Sequence, residues 1–147
     1  MHVTVQQVAP VSEITADELA RIVSLVRDRC TGIAPFTVID ARAEAWEHGI
    51  VCPIRSGYPL NDLWQVTTSA ARQITGSRFE TRPAVYHPHL SLAYATGHVD
   101  PNPIRAWLSD CDAPEIPLPV TGLVLVAQQH DGREITFRVL DHVTLAG

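Results

Sequence analysis

Tyr86-His87-Pro88-His89-Leu90-Ser91-Leu92-Ala93-Tyr94 is the stretch from which the fold and the chemistry of this chain are read. His89, Ser91 and Ala93 alternate with Leu90, Leu92 and Tyr94, a period of two that predicts a short β-strand. Residues i and i+2 of a strand share a face. His89 and Ser91 therefore stand side by side, and Leu90 and Leu92 are expected to turn to the opposite face and the core. An imidazole moves protons near neutral pH, and a hydroxyl can hold a phosphate oxygen.

The same form opens the chain. His2-Val3-Thr4-Val5 is again His, apolar, hydroxyl, apolar, and His142-Val143-Thr144-Leu145 repeats it near the end. Seven His and 19 Ser plus Thr in 147 residues predict roughly one His-x-Ser/Thr by chance and about 0.2 with both apolar positions filled. Three occurrences exceed that.

Paired His-x-Ser/Thr-apolar motifs in one small α/β chain resemble the 2H phosphoesterases, the family that includes the 2′-5′ RNA ligase-like proteins. The wording from Tyr86 to Tyr94 looks like the second motif of that family, and His2-Val3-Thr4-Val5 looks like the first. The wide separation of the two suits a duplicated lobe. The resemblance spans the chain and is most specific from about Val85 to Leu108. It implies an α+β, two-lobed fold with antiparallel sheets lining a central cleft and helices outside. Family members usually carry a strand and a helix before the first motif. Here the chain starts on it, so that strand and helix are expected to be missing. The resemblance further implies His2 and His89 as the catalytic pair, with Thr4 and Ser91 as phosphate-binding hydroxyls. The substrates implied are 2′,3′-cyclic phosphodiesters at RNA ends or small cyclic nucleotides, with a slow reverse 2′-5′ RNA ligation. No cofactor and no metal is called for, because two imidazoles suffice for the proton transfers.

Composition bounds the reading. Hydrophobic residues make up 46% and charged residues 18% of the chain, which is globular and of a size for one domain over residues 1–147. No apolar run reaches membrane-spanning length and no signal-peptide pattern opens the chain, so a soluble cytoplasmic monomer is the expectation. The net charge of −5 argues against a grip on long duplex nucleic acid, which needs many cationic phosphate contacts. A small cyclic nucleotide or an RNA terminus is the partner that fits. All eleven cations are Arg, which suits bidentate phosphate binding where a few line a site. Cys30, Cys52 and Cys111 have neither disulfide nor zinc spacing and read as reduced, mostly buried thiols.

The element order reads β-α-β-β-α-β-α-β-β. Val3 to Val8 alternates as a strand. Thr15 and Glu18 form a capping box for a helix through about Cys30, with Leu19, Ile22, Val23 and Val26 on its apolar face, widened by Leu25. Phe36 to about Trp46 and Ile50 to Ile54 read as a hairpin turning at Glu47-His48-Gly49. Tyr58-Pro59 opens a helix whose buried face is Leu60, Leu63, Trp64, Thr67, Ala71 and Ile74, ended by Gly76. Asp100 caps a third helix with Pro101 first and Ile104, Trp107 and Leu108 inward. Val120 to Gln128 and Glu134 to Leu145 flank an Asp131-Gly132 turn. Two similar blocks follow two similar motifs, a weak internal repeat.

The competing readings are plain ones. His142, near the terminus on the last strand, reads as an exposed strand residue. His87 shares its side with His89 only if Pro88 leaves the alternation intact. His48, His98 and His130 fall in turns. Tyr94 reads as packing, and Tyr86 and Arg55 as neighbours of a site between lobes. Trp46, Trp64 and Trp107 read as core or core-edge anchors. No Gly-rich phosphate loop and no Ser-His-Asp arrangement is present. The functional alternatives are a non-catalytic module binding a nucleotide or RNA end through a degenerate site, and a His-rich metal-binding protein.

Overall fold

The computed structural model describes residues 2–39, 42–55, 58–80, 83–111, 116–131 and 134–147. In chain order its elements are α1 (Ala16–Cys30), β1 (Phe36–Ile39), β2 (Glu44–Trp46), β3 (Gly49–Pro53), α2 (Tyr58–Thr75), β4 (His89–Tyr94), α3 (Asn102–Asp110), β5 (Pro117–Val120), β6 (Gly122–His130) and β7 (Ile135–Thr144). Three sheets form, with strand orders β1-β5, β2-β3-β4 and β6-β7. The chain divides into two compact units. One comprises Met1–Thr4, Thr37–Gly57 and His87–Leu118; the other comprises Val5–Phe36, Tyr58–Tyr86 and Pro119–Gly147.

In the first unit β2, β3 and β4 run antiparallel. Glu44 pairs with Val51, and Val51 with Ser91. Ala45, Cys52 and Leu90 point to one side and are buried. On that side α3 brings Leu108 into the core, and Arg105 Nε donates to the Ala45 carbonyl at 3.0 Å. Gly49 begins β3 at φ +155°, and a Cβ there would lie 2.0 Å from the Ala93 carbonyl oxygen. Only glycine lets β3 approach β4 so closely at this point.

In the second unit α1 and α2 form as their local signals dictate. The Thr15 hydroxyl accepts from the Glu18 amide at 3.2 Å, and Glu18 accepts from the Thr15 amide at 2.9 Å. Ile22, Val23, Val26 and Cys30 are the buried stripe of α1. Leu60, Leu63, Ala70 and Ala71 are that of α2, and Gly76 at φ +63° closes it, its amide donating to the Arg72 carbonyl at 2.8 Å. This is the left-handed C-terminal position that favours glycine. Arg29 on α1 ties to Ser69 at 2.9 Å and to Gln73 on α2. Arg27 ties to Asp141 of β7 at 3.1 Å.

Several expectations are corrected. Val3 to Val8 is not a strand. It contributes a bridge from Val3 to Leu90, and Gln7 makes another. The chain leaves the first unit between Thr4 and Val5, so no run of ladder bonds can build along one partner. Phe36 to Trp46 divides into β1 and β2, with Asp40 and Ala41 outside the described residues. Val120 to Gln128 divides at Thr121 into β5 and β6. Pro101, not Asp100, holds the N-cap of α3, although the Asp100 carboxylate does accept from the Asn102 amide at 3.0 Å. Trp107 is 64% exposed and is not a core anchor. Gly132 of the last turn lies outside the described residues; beside it the Asp131 carboxylate accepts from the Glu134 amide at 2.8 Å.

Leu92 is the most informative correction. Alternation puts it inward with Leu90, yet it is 50% exposed where Leu90 is 4%. Ser91 pairs with Val51 and Ala93 with Ile50, so Leu92 has no partner on β3. It is the extra residue of a β-bulge, which breaks the alternation after Ser91.

Candidate functional site

The first unit contains His2, Val3 and Thr4 of the first motif and the whole of His89-Leu90-Ser91-Leu92. Leu90 on β4 bridges Val3 in antiparallel sense. Residues opposite one another in an antiparallel pair share a face, so Val3 and Leu90 stand together on the core side. Continued one residue either way, that register would bring His2 toward Ser91 and Thr4 toward His89; the pairing present is the single bridge. On β4, His89 and Ser91 lie on the face away from Leu90. His2 and Thr4 are exposed, while His89 and Ser91 are half-buried.

His89 begins β4 opposite Pro53. Its Nδ1 lies 2.8 Å from the His87 carbonyl oxygen. A carbonyl can only accept, so Nδ1 carries a proton there and Nε2 is the nitrogen left for chemistry. The Trp46 ring meets the imidazole with centroids 5.0 Å apart and planes tilted by 53°. His2 keeps solvent access, yet enough of the protein surrounds it to disfavour its charged form. Burial first, and the positive chain terminus second, hold its pKa below the ordinary histidine value.

The other candidates lie elsewhere or act otherwise. His142 is in the second unit, exposed, opposite Val124, with its amide donating to the Asp141 carboxylate at 2.7 Å. His87 is exposed and serves through its backbone carbonyl. Tyr94 is exposed at the end of β4. Arg55 is exposed, its amide donating to the Ile39 carbonyl at 3.2 Å. Tyr86 belongs to the second unit and stacks on Trp64, with centroids 5.8 Å apart and planes 9° from parallel. Among the described residues no three His, Cys, Asp or Glu side chains converge so as to hold a metal ion. Cys30 and Cys52 are buried free thiols, and Cys111 is half-buried.

Trp46 is the neighbour that sequence reading missed. Its position suggests a core or core-edge anchor; at 39% exposed it sits at the edge, and its ring reaches His89 from two strands away. The one signal in the sequence is its place beside the Glu47-His48-Gly49 turn, on the same side of β2 as Glu44. The register that brings that side to His89 is set by pairing distant in sequence.

No protein-family model matches the chain, and no curated protein matches it significantly by sequence. Solved structures do match in architecture. A crystal structure described as a phosphoesterase has a TM-score of 0.69 at 19% identity, over 99% of this chain and 77% of that one. LigT of E. coli, complexed with 3′-AMP, has a TM-score of 0.67 at 17% identity, over 97% and 76%. TT0787 of Thermus thermophilus has a TM-score of 0.66 at 18% identity, over 92% and 74%. The chain therefore shares the α+β fold of these structures. Its fold is LigT-like, the fold that the resemblance of the paired motifs implies. No helix among the described residues is long and apolar enough to cross a membrane.

Proposed function

We propose that this chain hydrolyses 2′,3′-cyclic phosphodiesters, at RNA ends or in small cyclic nucleotides, by metal-independent two-histidine catalysis. The observation that supports the reading is the Val3–Leu90 bridge, which joins a residue of the first motif to a residue of the second. The LigT-like fold, and the nucleotides held by LigT in its complexes with 3′-AMP and NADP+, support a nucleotide phosphoester as substrate.

His2 is the general base. Its depressed pKa keeps it neutral at neutral pH and able to take a proton from water. The oxygen of that water bonds to phosphorus, and the bond to one ribose oxygen breaks. His89 is the general acid and gives the proton on Nε2 to the departing oxygen, while Nδ1–H stays on the His87 carbonyl. The product is a phosphomonoester with a free hydroxyl. His2 has gained a proton and His89 has lost one, and solvent exchange restores both. The hydroxyls of Thr4 and Ser91 donate to the non-bridging oxygens, where charge builds in the transition state. Reverse ligation is the same path run from a 2′,3′-cyclic end and a hydroxyl.

The test is turnover of 2′,3′-cyclic nucleotides by the parent protein and by His2→Ala and His89→Ala. Each variant is expected to lose about a hundredfold or more, the usual size of a general acid–base contribution. Activity is expected to survive strong chelation. Full activity in His2→Ala with loss in His142→Ala would show that the wrong motifs are paired. Nucleotide binding without turnover in the parent would favour the non-catalytic binding module instead.

A further inference from the structure

We propose that Trp46 is the positioning residue for His89, one side of a clamp that turns Nε2 of the imidazole toward the substrate. The kinetic consequence rests on the two-histidine reading above; the clamp itself is a matter of geometry within the first unit.

The sheet builds the clamp from residues on one face. Glu44 pairs with Val51, and Trp46 with Gly49. Val51 pairs with Ser91, and Pro53 with His89. The pleat therefore puts Glu44, Trp46, Val51, Pro53, Ser91 and His89 on the same side. Gly49, directly across from Trp46, has no side chain and lies against β4 so tightly that a Cβ could not fit. No side chain of β3 stands beside the indole at that level, so it can lean across the strand to reach His89. Val51, on the path between them, is buried.

The indole is itself held. Its Nε1 donates to Glu44 Oε2 at 3.1 Å, two residues back along the same strand face. The imidazole is thus fixed twice, by the tilted indole at 5.0 Å and by the His87 carbonyl at 2.8 Å from Nδ1. A histidine at the start of a strand would otherwise exchange rotamers freely. The indole beside the ring and the hydrogen bond at Nδ1 together restrain its rotation, and Nε2 is the nitrogen the His87 carbonyl does not engage. A catalytic group misplaced by about 1 Å can lose about a hundredfold in rate. Trp46 keeps 39% of its surface exposed, so filling the core does not account for its placement.

The experiment combines kinetics with NMR of histidine-labelled, ligand-free protein. In the parent, the His89 ring protons are expected to be shifted by the indole ring current relative to those of the exposed His98, and Nδ1 is expected to carry the proton. Trp46→Ala should abolish the ring-current shift and lower kcat for a 2′,3′-cyclic nucleotide by about ten- to a hundredfold, with KM changed less than about threefold. Trp46→Phe should restore most of both. Glu44→Ala, which frees the indole, should fall between. Trp107→Ala, an exposed tryptophan on α3, should change neither.

A normal ring-current shift in Trp46→Ala, or kcat held at the parent value, overturns the proposal. A rise in KM with kcat unchanged also overturns it, since Trp46 would then contact substrate rather than place His89. If the parent turns over no cyclic nucleotide, the two-histidine reading falls, and the ring-current and tautomer measurements still decide whether Trp46 and the His87 carbonyl hold the ring.

Discussion

Replacing Tyr86 with Phe should stabilise the protein, and more so in alkali. Tyr86 is 8% exposed, and its hydroxyl finds no hydrogen-bond partner among the described residues. A buried hydroxyl left unpaired costs about 1–3 kcal/mol, so removing it should return about 1 kcal/mol at pH 8 after some loss of packing. Burial also pushes the Tyr86 pKa up from 10.0 to about 12. The folded state then holds the proton more tightly than the unfolded chain. This stability is fully present below the unfolded value and is lost as pH rises from it through the folded value. The two-unit gap corresponds to about 3 kcal/mol in total, of which about 2 is lost by pH 11.5. Phe cannot titrate, so Tyr86→Phe should lead by about 1 kcal/mol at pH 8 and by about 3 at pH 11.5. Cys30, whose thiol burial also pushes up, titrates in both proteins and cancels in the comparison. The assay is urea unfolding at both pH values, with equal m-values required. A Phe variant less stable than the parent at pH 8, or a lead that does not widen in alkali, would refute the reasoning. Stacking on Trp64 should survive in either case, because the ring is unchanged.

Four further outcomes are expected. Leu90→Ala, beneath both motifs, should cost about 2–5 kcal/mol in urea unfolding, whereas Leu92→Ala should fall within about 0.5 kcal/mol of the parent. Gly49→Ala should cost about 2 kcal/mol or more, because its Cβ would meet the Ala93 carbonyl at a positive φ. Hydrogen bonds from the Thr15 backbone and hydroxyl and from Arg78 depress the Glu18 pKa. The stability this adds is present above the ordinary carboxylate value and lost as pH falls through the folded one; acid titrations of the parent and Glu18→Gln should diverge in that window. The pH profile of kcat/KM should be a bell whose rising limb, governed by neutral His2, lies below the ordinary histidine value of ~6.5. Thr4→Ala and Ser91→Ala should lower that bell without erasing a limb, and His2→Ala should erase the rising one.

What the sequence disclosed follows from how far each signal reaches along the chain. The Thr15-Glu18 capping box and Gly76 are local devices, and α1 and α2 begin and end where those devices put them. The hairpin through Glu47-His48-Gly49 is local too, and β2 pairs with β3 around it. Val3 to Val8 has good alternation, but alternation does not supply a partner, and only Val3 and Gln7 make bridges. Trp107 sits at helical spacing with Ile104 and Leu108, yet a nine-residue helix with one buried residue leaves most of its face in solvent. The motifs were legible as candidates because their residue types are rare in that order. The bridge between them, Val3 to Leu90, and the three-strand register that brings Trp46 to His89 both join residues far apart in sequence, and neither can be read within a short window.

The bulge at Leu92 shows why an imperfect alternation still suits the proposed chemistry. His89, Leu90 and Ser91 keep strict alternation, with Leu90 anchored in the core and the other two on the opposite face. That alternation ends at Ser91. β4 must then follow β3 back to Gly49, where the strands come too close for any side chain on Gly49. Inserting Leu92 between two paired residues adds twist at that point, and the exposed leucine is what the insertion leaves. The same close approach keeps the level opposite Trp46 free of a side chain, which lets the indole reach the imidazole. The bulge, Gly49 and Trp46 are thus parts of one arrangement. Straightening β4 by deleting Leu92 should disturb the His89–Trp46 contact even though neither residue is touched.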